Sequence, residues 1–315
     1  MTFNYVLDFE KEVLSLEEDI ERLRLTGDPT TATEIASLQQ KQRQVFQNLG
    51  SWERVQLARH HDRPYFLDYM ERMTEMYHEM HGDRAFADDR ALIGGMTQLG
   101  PHSVMMLGHQ KGRDTKSNIY RNFGMANPEG YRKAMRLMHT AAKFHKPVVT
   151  LVDTPGAFPG KGSEERGVAE AIARNLYDMA ILETPIISVI TGEGGSGGAL
   201  GIAVADRVLM LENSIYSVIS PEGCASILFR DAGRAKDAAK ALKITSADLL
   251  ELGLVDGIIE EPAIGAHRDH DGMAVILKKR LIEELDALKE IPIPELVDAR
   301  IEKFNSYGRW QESEA

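Results

Sequence analysis

Glycines are concentrated in two short stretches where backbone N–H groups could approach an anionic ligand. Residues 152–160 read VDTPGAFPG, and residues 191–200 read TGEGGSGGAL. Glycine lets the backbone approach a ligand closely because it has no Cβ atom, but ordering it on folding is entropically expensive. Five glycines within residues 192–198 are more than a routine turn requires. The two stretches therefore indicate a binding or catalytic site.

Main-chain amides at these stretches predict an oxyanion hole. The second stretch leads from an apolar segment into a helix, and a helix start carries unpaired N–H groups and partial positive charge. Such donors bind anions and stabilise a developing oxyanion. We predict that Gly197 and Gly198 supply two of these amides and that Gly156 and Ala157, in the first stretch, supply two more.

The second stretch also matches a dinucleotide-binding pattern. Gly192, Gly194 and Gly197 satisfy G-x-G-x-x-G, and the acidic Glu212 follows about twenty residues later. In such domains the motif follows the first strand, whereas here much of the sheet precedes it. A turn in which the glycines serve only close packing is a further alternative.

A third pattern in the same stretch is that of a hydrolase. Residues 194–198 satisfy G-x-S-x-G, which places Ser196 at a nucleophile elbow. A hydrolase would also need an acid and a histidine, for which Asp256 and either His267 or His270 are the candidates. Those histidines lie in a polar segment with no clear strand end.

The elements around the glycine stretches predict an α/β fold. Apolar segments at residues 147–152, 185–191 and 207–211 alternate with helical patterns at residues 128–144 and 164–182. Strands that are apolar throughout and alternate with helices are typical of a buried, largely parallel sheet. Ligands of such sheets gather at the carboxyl ends of the strands, where both glycine stretches fall.

The first fifty residues predict a helical hairpin. Phe9, Val13, Leu16, Ile20 and Leu23 follow a heptad spacing. Residues 27–29, Gly-Asp-Pro, interrupt the pattern before a second apolar seam that includes a polar Gln42. We expect two packed helices that serve either local packing or a subunit contact.

Several other residues are weaker candidates for substrate contacts. Lys111 and Arg113 lie in a polar loop and suit either the phosphate groups of a ligand, a partner subunit or a solvated face. Arg166 suits a contact to a ligand or a carboxylate, or a local ion pair with neighbouring glutamates. The remaining candidates are three residues of the second stretch, Glu193, Gly194 and Gly195.

Composition restricts the classes of function. The 37 basic and 48 acidic residues give a formal net charge of −11, which disfavours general nucleic-acid or anionic-membrane binding. The single cysteine, Cys224, excludes an internal disulfide, and no zinc-ligand spacing is found, so we predict no metal site. The chain has neither a leader pattern nor a membrane-length apolar segment, so we expect a cytoplasmic protein.

Four segments resemble the carboxyltransferase α subunits of heteromeric, bacterial and plastid acetyl-CoA carboxylases. Two are the glycine stretches, and the others are residues 121–134 (RNFGMANPEGYRKA) and 216–225 (YSVISPEGCA). The motifs are long and specific, and the resemblance runs from the N-terminal hairpin to about residue 281. It implies a crotonase-type fold, in which repeated ββα units wind into a spiral.

The resemblance also implies a reaction and an assembly. The family transfers a carboxyl group from carboxybiotin, held on a separate biotin carboxyl carrier protein, to acetyl-CoA, which gives malonyl-CoA for fatty acid biosynthesis. A zinc-ribbon β subunit completes the site in an α2β2 tetramer. The α side faces biotin and the β side holds most CoA contacts. ATP is used by a separate biotin carboxylase, and biotin is not attached to this chain.

These observations give a predicted domain plan and two competing functions. Residues 1–50 form the hairpin, 51–290 the crotonase-like carboxyltransferase domain, and 291–315 a polar, loosely held tail. One competing function is a stand-alone crotonase-type acyl-CoA hydratase or thioesterase, which the lack of a side-chain acid near the glycine stretch disfavours. The other is a scaffold whose glycines only bind a partner.

Overall fold

The computed structural model describes residues 5–308. These residues form one eight-stranded mixed sheet and the helices that pack against it. The strand order is β1-β2-β3-β4-β5-β6-β8, and β7 pairs with the far end of β5. The first three strands pair antiparallel, and the pairs from β3 onwards are parallel. The strands are β1 Tyr77–Glu79, β2 Leu92–Leu99, β3 His102–His109, β4 Val148–Thr154, β5 Ile186–Gly195, β6 Arg207–Leu211, β7 Ile215–Ser217 and β8 Gly257–Ile259.

Helices cover both faces of this sheet. They are α1 Glu10–Thr26, α2 Ala32–Gln47, α3 Ser51–Ala58, α4 Phe66–Met73, α5 Thr115–Tyr120, α6 Pro128–Lys143, α7 Lys161–Glu165, α8 Val168–Ala180, α9 Ser196–Leu200, α10 Pro221–Leu228, α11 Ala235–Leu242, α12 Ser246–Glu251, α13 His270–Lys289 and α14 Ile293–Asn305. The predicted helix at residues 164–182 is in fact two helices, because Gly167 adopts φ +78° between α7 and α8. Across residues 5–308, no helix combines the length and apolarity needed to cross a membrane.

The central strands are apolar on both faces because each face packs against helices. Every residue of β4 and β5 is buried. Val148 and Val152 pack into a core that contains residues of α6 and α8, whereas Val149 and Leu151 pack into a second core with residues of α4 and α13. This burial explains the uninterrupted apolar segments in the sequence.

The predicted N-terminal hairpin is confirmed. Gly27, at φ +66°, ends α1, and α2 packs back against it. Val13 and Phe46 are buried, and the polar Gln42 in the seam donates from Nε2 to the carbonyl of Val13 at 3.2 Å. The buried Glu10 at the start of α1 accepts hydrogen bonds from His267 Nε2 at 2.7 Å and from Arg268 Nε at 3.0 Å, which fixes the hairpin to the body of the protein.

The last segment differs from the loosely held tail that we predicted. Residues 293–305 form helix α14, and its Arg300 is buried. Arg300 donates to both carboxylate oxygens of Asp206 at 2.8 Å and to the carbonyls of Met179, Leu182 and Thr184. A buried polar residue therefore anchors this helix. The polar composition of the segment led us to predict a loose tail, because it does not show that Arg300 is buried. Residues 309–315 lie outside the described part of the chain, and the boundaries of the three domains remain a prediction.

Candidate active site

The two glycine stretches lie side by side at the carboxyl ends of β4 and β5. Thr154 pairs with Gly194 in parallel register. A Cβ atom on Gly195 would lie under 3.0 Å from the carbonyl of Pro155, and one on Gly198 would lie equally close to the peptide that joins Gly156 and Ala157. Glycine is required here because the two backbones touch.

The second stretch is a strand that ends in a helix start rather than an open turn. β5 continues through Gly195, and α9 begins at Ser196, which adopts φ +49°. The amides of Gly197 and Gly198 therefore stand in the first turn of α9, where the helix itself offers no acceptor. Their carbonyls are engaged: Gly201 N–H donates to Gly197 at 3.0 Å, and the Tyr131 hydroxyl donates to Gly198 at 3.4 Å.

The first stretch contributes one available amide rather than two. The Gly156 N–H donates to Thr154 Oγ1 at 3.1 Å, so the prediction of Gly156 as an oxyanion donor is not met in this conformation. The short span from Thr154 to Gly156 closes a local hydrogen-bonded turn. No acceptor among residues 5–308 lies in hydrogen-bonding range of the Ala157 N–H. The donors brought together are thus those of Ala157, Gly197 and Gly198.

The dinucleotide-binding alternative is wrong. Gly192 and Gly194 lie inside β5, where Gly194 pairs with Tyr216 of β7 and with Thr154 of β4. The pattern needs a loop that starts at its first glycine, and β5 continues for three further residues beyond Gly192.

The hydrolase alternative is also wrong, although Ser196 occupies a strained strand–helix junction. His267 is hydrogen-bonded to Glu10, and His270 Nε2 contacts the carbonyl of Asp62 at 2.6 Å. Asp256 accepts from Lys303 Nζ at 2.8 Å. The candidate acid and histidines are therefore engaged with other groups and form no triad with Ser196.

Asp153, the penultimate residue of β4, connects the two stretches. Its Oδ1 accepts a hydrogen bond from Glu193 N–H at 2.9 Å and another from Lys111 Nζ at 2.6 Å. Asp153 is buried, and Lys111 is largely so. The predicted candidate Lys111 thus pairs with Asp153 and helps to hold this carboxylate in place.

Glu193 is held by an arginine that the sequence analysis missed. Arg59, which follows α3, donates to Glu193 Oε1 at 2.6 Å and to Glu222 Oε1 at 2.7 Å. Burial lowers the pKa of Arg59, but hydrogen bonds and charge interactions with the Glu193 and Glu222 carboxylates outweigh burial and raise the pKa above its ordinary value. Arg59 and Glu193 are 134 residues apart in the sequence, so no local sequence pattern indicates that they form a pair. Glu193 orients the end of β5 through this contact.

The other two basic candidates are paired as well. Arg113 donates to Asp68 at 2.5 Å and stacks over the Tyr65 ring at 4.5 Å. Arg166 donates to Glu129 of α6 at 2.5 Å. Local ion pairing is therefore the correct interpretation for Arg166, but its partner is Glu129 rather than the adjacent glutamates.

Two further buried residues beneath the glycine stretches were missed. The fully buried Arg63 donates from Nε to the carbonyl of Thr191 at 2.6 Å and pairs with Glu261. His109, at the end of β3, is buried, and neither ring nitrogen has a hydrogen-bond partner within residues 5–308. Burial lowers the pKa of His109 to about 3, so its ring is neutral.

Residues 6–308 match the model of a family described as acetyl co-enzyme A carboxylase carboxyltransferase-like. The chain belongs to this family of carboxyl-transferring enzymes. The acetyl-coenzyme A carboxylase carboxyl transferase subunit alpha of Geobacter metallireducens is 55% identical over 318 residues, which cover 99% of this chain and 100% of the relative. The same subunit of Chlorobium luteolum is 54% identical, with 99% of each chain covered.

Solved structures share the fold at low sequence identity. A transcarboxylase 12S chain gives a TM-score of 0.56 at 18% identity; the match covers 80% of this chain and 44% of the transcarboxylase chain, so it spans less than half of that protein. A chain of a Pseudomonas malonate decarboxylase hetero-tetramer gives a TM-score of 0.55 at 16% identity and covers 75% of this chain and 91% of that chain. These likenesses confirm the predicted crotonase-type α/β fold of ββα units.

Proposed function

We propose that this chain is the α subunit of an acetyl-CoA carboxylase carboxyltransferase and binds the ureido group of carboxybiotin at Ala157, Gly197 and Gly198. In the proposed reaction the bond between the biotin nitrogen and the carboxyl carbon breaks. The acetyl methyl group loses a proton to that nitrogen, and its carbon takes the carboxyl group. The products are biotin and malonyl-CoA.

The contact between Gly198 and the Gly156–Ala157 peptide carries this proposal. It places a helix start against a second backbone amide at the ends of two parallel strands. As the carboxyl group leaves, negative charge grows on the ureido oxygen. Fixed main-chain donors stabilise such charge without reorganising, and the loss of one donor typically costs about 3–4 kcal/mol in the barrier. No side-chain base is required, which agrees with the finding that Asp256, His267 and His270 form no triad with Ser196.

We further propose that a β subunit with a zinc ribbon supplies the second oxyanion hole, for the acetyl-CoA enolate, in an α2β2 assembly. The relatives' designation as an α subunit supports a multi-subunit complex. A biotin carboxyl carrier protein presents the carboxyl group, and an ATP-using biotin carboxylase loads it. The stand-alone hydratase or thioesterase is not favoured, because the relatives that align with this chain over nearly their full length are named carboxyl transferase subunits.

Reconstitution tests this proposal. The purified chain alone, a β subunit alone and the two mixed are assayed for malonyl-CoA decarboxylation that depends on free biotin. We expect turnover only in the mixture, together with co-elution of both chains in gel filtration. Acyl-CoA hydration or hydrolysis by the isolated chain would instead establish the stand-alone function.

A further inference from the structure

A strained segment precedes α6. Asn122, Phe123 and Gly124 follow one another at φ +46°, +55° and +76°, all in the left-handed region. Glycine and asparagine tolerate this region, but phenylalanine rarely adopts it. The conformation is fixed by hydrogen bonds from Asn122 Nδ2 to the Met125 carbonyl at 2.8 Å and from Met125 N–H to the Asn122 carbonyl at 2.9 Å. Such strain persists where the surroundings enforce it, often beside ligands.

This segment lies against the first glycine stretch. A Cβ atom on Gly124 would lie 2.8 Å from Lys111 Cγ and 3.4 Å from the carbonyl oxygen of Asp153. Two residues further on, the carbonyl of Ala126 accepts the N–H of Phe158 at 3.0 Å. The strained backbone therefore forms a wall beside the amide of Ala157.

Phe123 presents an uncovered aromatic ring at this wall. Phe123 is 50% exposed, as is Tyr120. The Tyr120 ring, however, is covered by the guanidinium groups of Arg90 at 4.5 Å and Arg121 at 5.2 Å. Over the Phe123 ring there is neither an aromatic ring nor a cation from the described residues. An exposed, uncovered ring held on strained backbone indicates a contact that forms only on binding.

We propose that the Phe123 ring packs against the fused bicyclic ring of biotin when the ureido oxygen is bound at Ala157, Gly197 and Gly198. The inference rests on the proposed function and adds a specificity-determining residue to it. The saturated, sulfur-containing ring of biotin is apolar and can pack against an aromatic face, whereas the pantetheine arm of CoA is flexible and rich in amides. Phe123 thereby selects the carboxyl donor and not the acceptor.

The experiment uses the reconstituted α–β complex with free biotin as the probe and malonyl-CoA as the second substrate. Phe123→Ala is expected to raise the KM for biotin about tenfold, while the KM for malonyl-CoA changes less than about twofold. Phe123→Leu keeps an apolar side chain and should give an intermediate value. Phe144→Ala is the matched control, because Phe144 is 61% exposed at the opposite end of α6.

Folding and assembly are measured on the same variants. Phe123→Gly relieves the left-handed strain, so its melting temperature should be at least that of the unaltered chain while its biotin KM rises as in Phe123→Ala. An unchanged biotin KM overturns the inference, as does an equal rise in both KM values or loss of co-elution with the β subunit. If the unaltered complex shows no biotin-dependent turnover, the proposed function fails first and this inference fails with it.

Discussion

Lys111 Nζ lies 2.6 Å from Asp153 Oδ1, and the same oxygen accepts the main-chain N–H of Glu193 at 2.9 Å. One carboxylate oxygen thus joins the end of β4 to the glycine-rich end of β5 across the site. The position of the amides at Ala157 and Gly198 depends on the relative placement of these strand ends. The side chains of Lys111 and Asp153 therefore help to position the backbone of the proposed site.

Removal of the Asp153 carboxylate should destabilise the protein. Asp153→Ala leaves the largely buried Lys111 ammonium and the Glu193 N–H without their acceptor, and loss of one partner of a buried ion pair costs about 3–5 kcal/mol. Asp153→Asn should lose less, because an amide oxygen still accepts the Glu193 N–H. Equilibrium urea unfolding measures both values. A loss below about 1 kcal/mol in Asp153→Ala would show that the connection is unimportant.

The C-terminal helix should depend on a single arginine. Arg300→Met breaks the bidentate pair with Asp206 and removes the ion-pair partner of that buried carboxylate, so we expect a loss of about 3–5 kcal/mol in the free energy of unfolding. Lys279→Met is the control, since the Lys279–Glu283 pair is exposed and exposed pairs contribute about 0–1 kcal/mol. Similar unfolding midpoints for the two variants would refute the anchoring role of Arg300.

Acidification should weaken the attachment of the N-terminal hairpin. Burial, with help from the neighbouring His267, lowers the pKa of His60 to about 4 from an ordinary value of 6.5. Between pH 6.5 and pH 4 the unfolded chain therefore binds a proton that the native protein does not. Stability should fall as the pH is lowered through this range, by up to about 3 kcal/mol.

Glu10 adds to this effect at lower pH. Burial raises its pKa, but hydrogen bonds from His267 and the Leu7 N–H outweigh burial and bring it to about 2. Its contribution is complete above pH 4.5 and is lost as the pH falls towards 2.

The variant His60→Phe tests the contribution of His60. As the pH is lowered from 7 to 4, the melting temperature should fall less steeply for His60→Phe than for the unaltered chain. Equal slopes in the two proteins would rule out His60 as the source.

The sequence was informative where local residue types determine the backbone. The heptad spacing and the Gly27–Pro29 interruption predict the hairpin, because both signals act over a few residues. The glycine pattern likewise predicts the approach of two backbones, since no other residue fits at Gly198. The prediction fails at Gly156, because the Gly156 N–H donates a hydrogen bond to the hydroxyl of Thr154, two residues earlier.

Pairs between distant residues could not be predicted from one sequence. Arg59 and Glu193 are 134 positions apart, and Glu10 and His267 are 257 positions apart. The sequence of α14 is polar, so we predicted a loose tail. An arginine is usually exposed, and the sequence alone does not show that Arg300 is buried in a pair with Asp206. Lys111, Arg113 and Arg166 were candidates for ligand contacts or for surface and local ion-pair roles, and each is engaged by a carboxylate from another element.

The turnover of Gly198→Val in the reconstituted α–β complex tests the backbone oxyanion hole most directly. Its side chain would force Gly198 away from the Gly156–Ala157 peptide, so we predict that kcat falls by at least about 10²–10³-fold while co-elution with the β subunit is retained. Gly197→Ala should lose far less, because its methyl group would be in ordinary van der Waals contact with the Ile172 side chain, at 3.6 Å from Cδ1 and 3.9 Å from Cγ2. A folded, assembled Gly198→Val complex with kcat within about threefold of the unaltered complex would contradict the account.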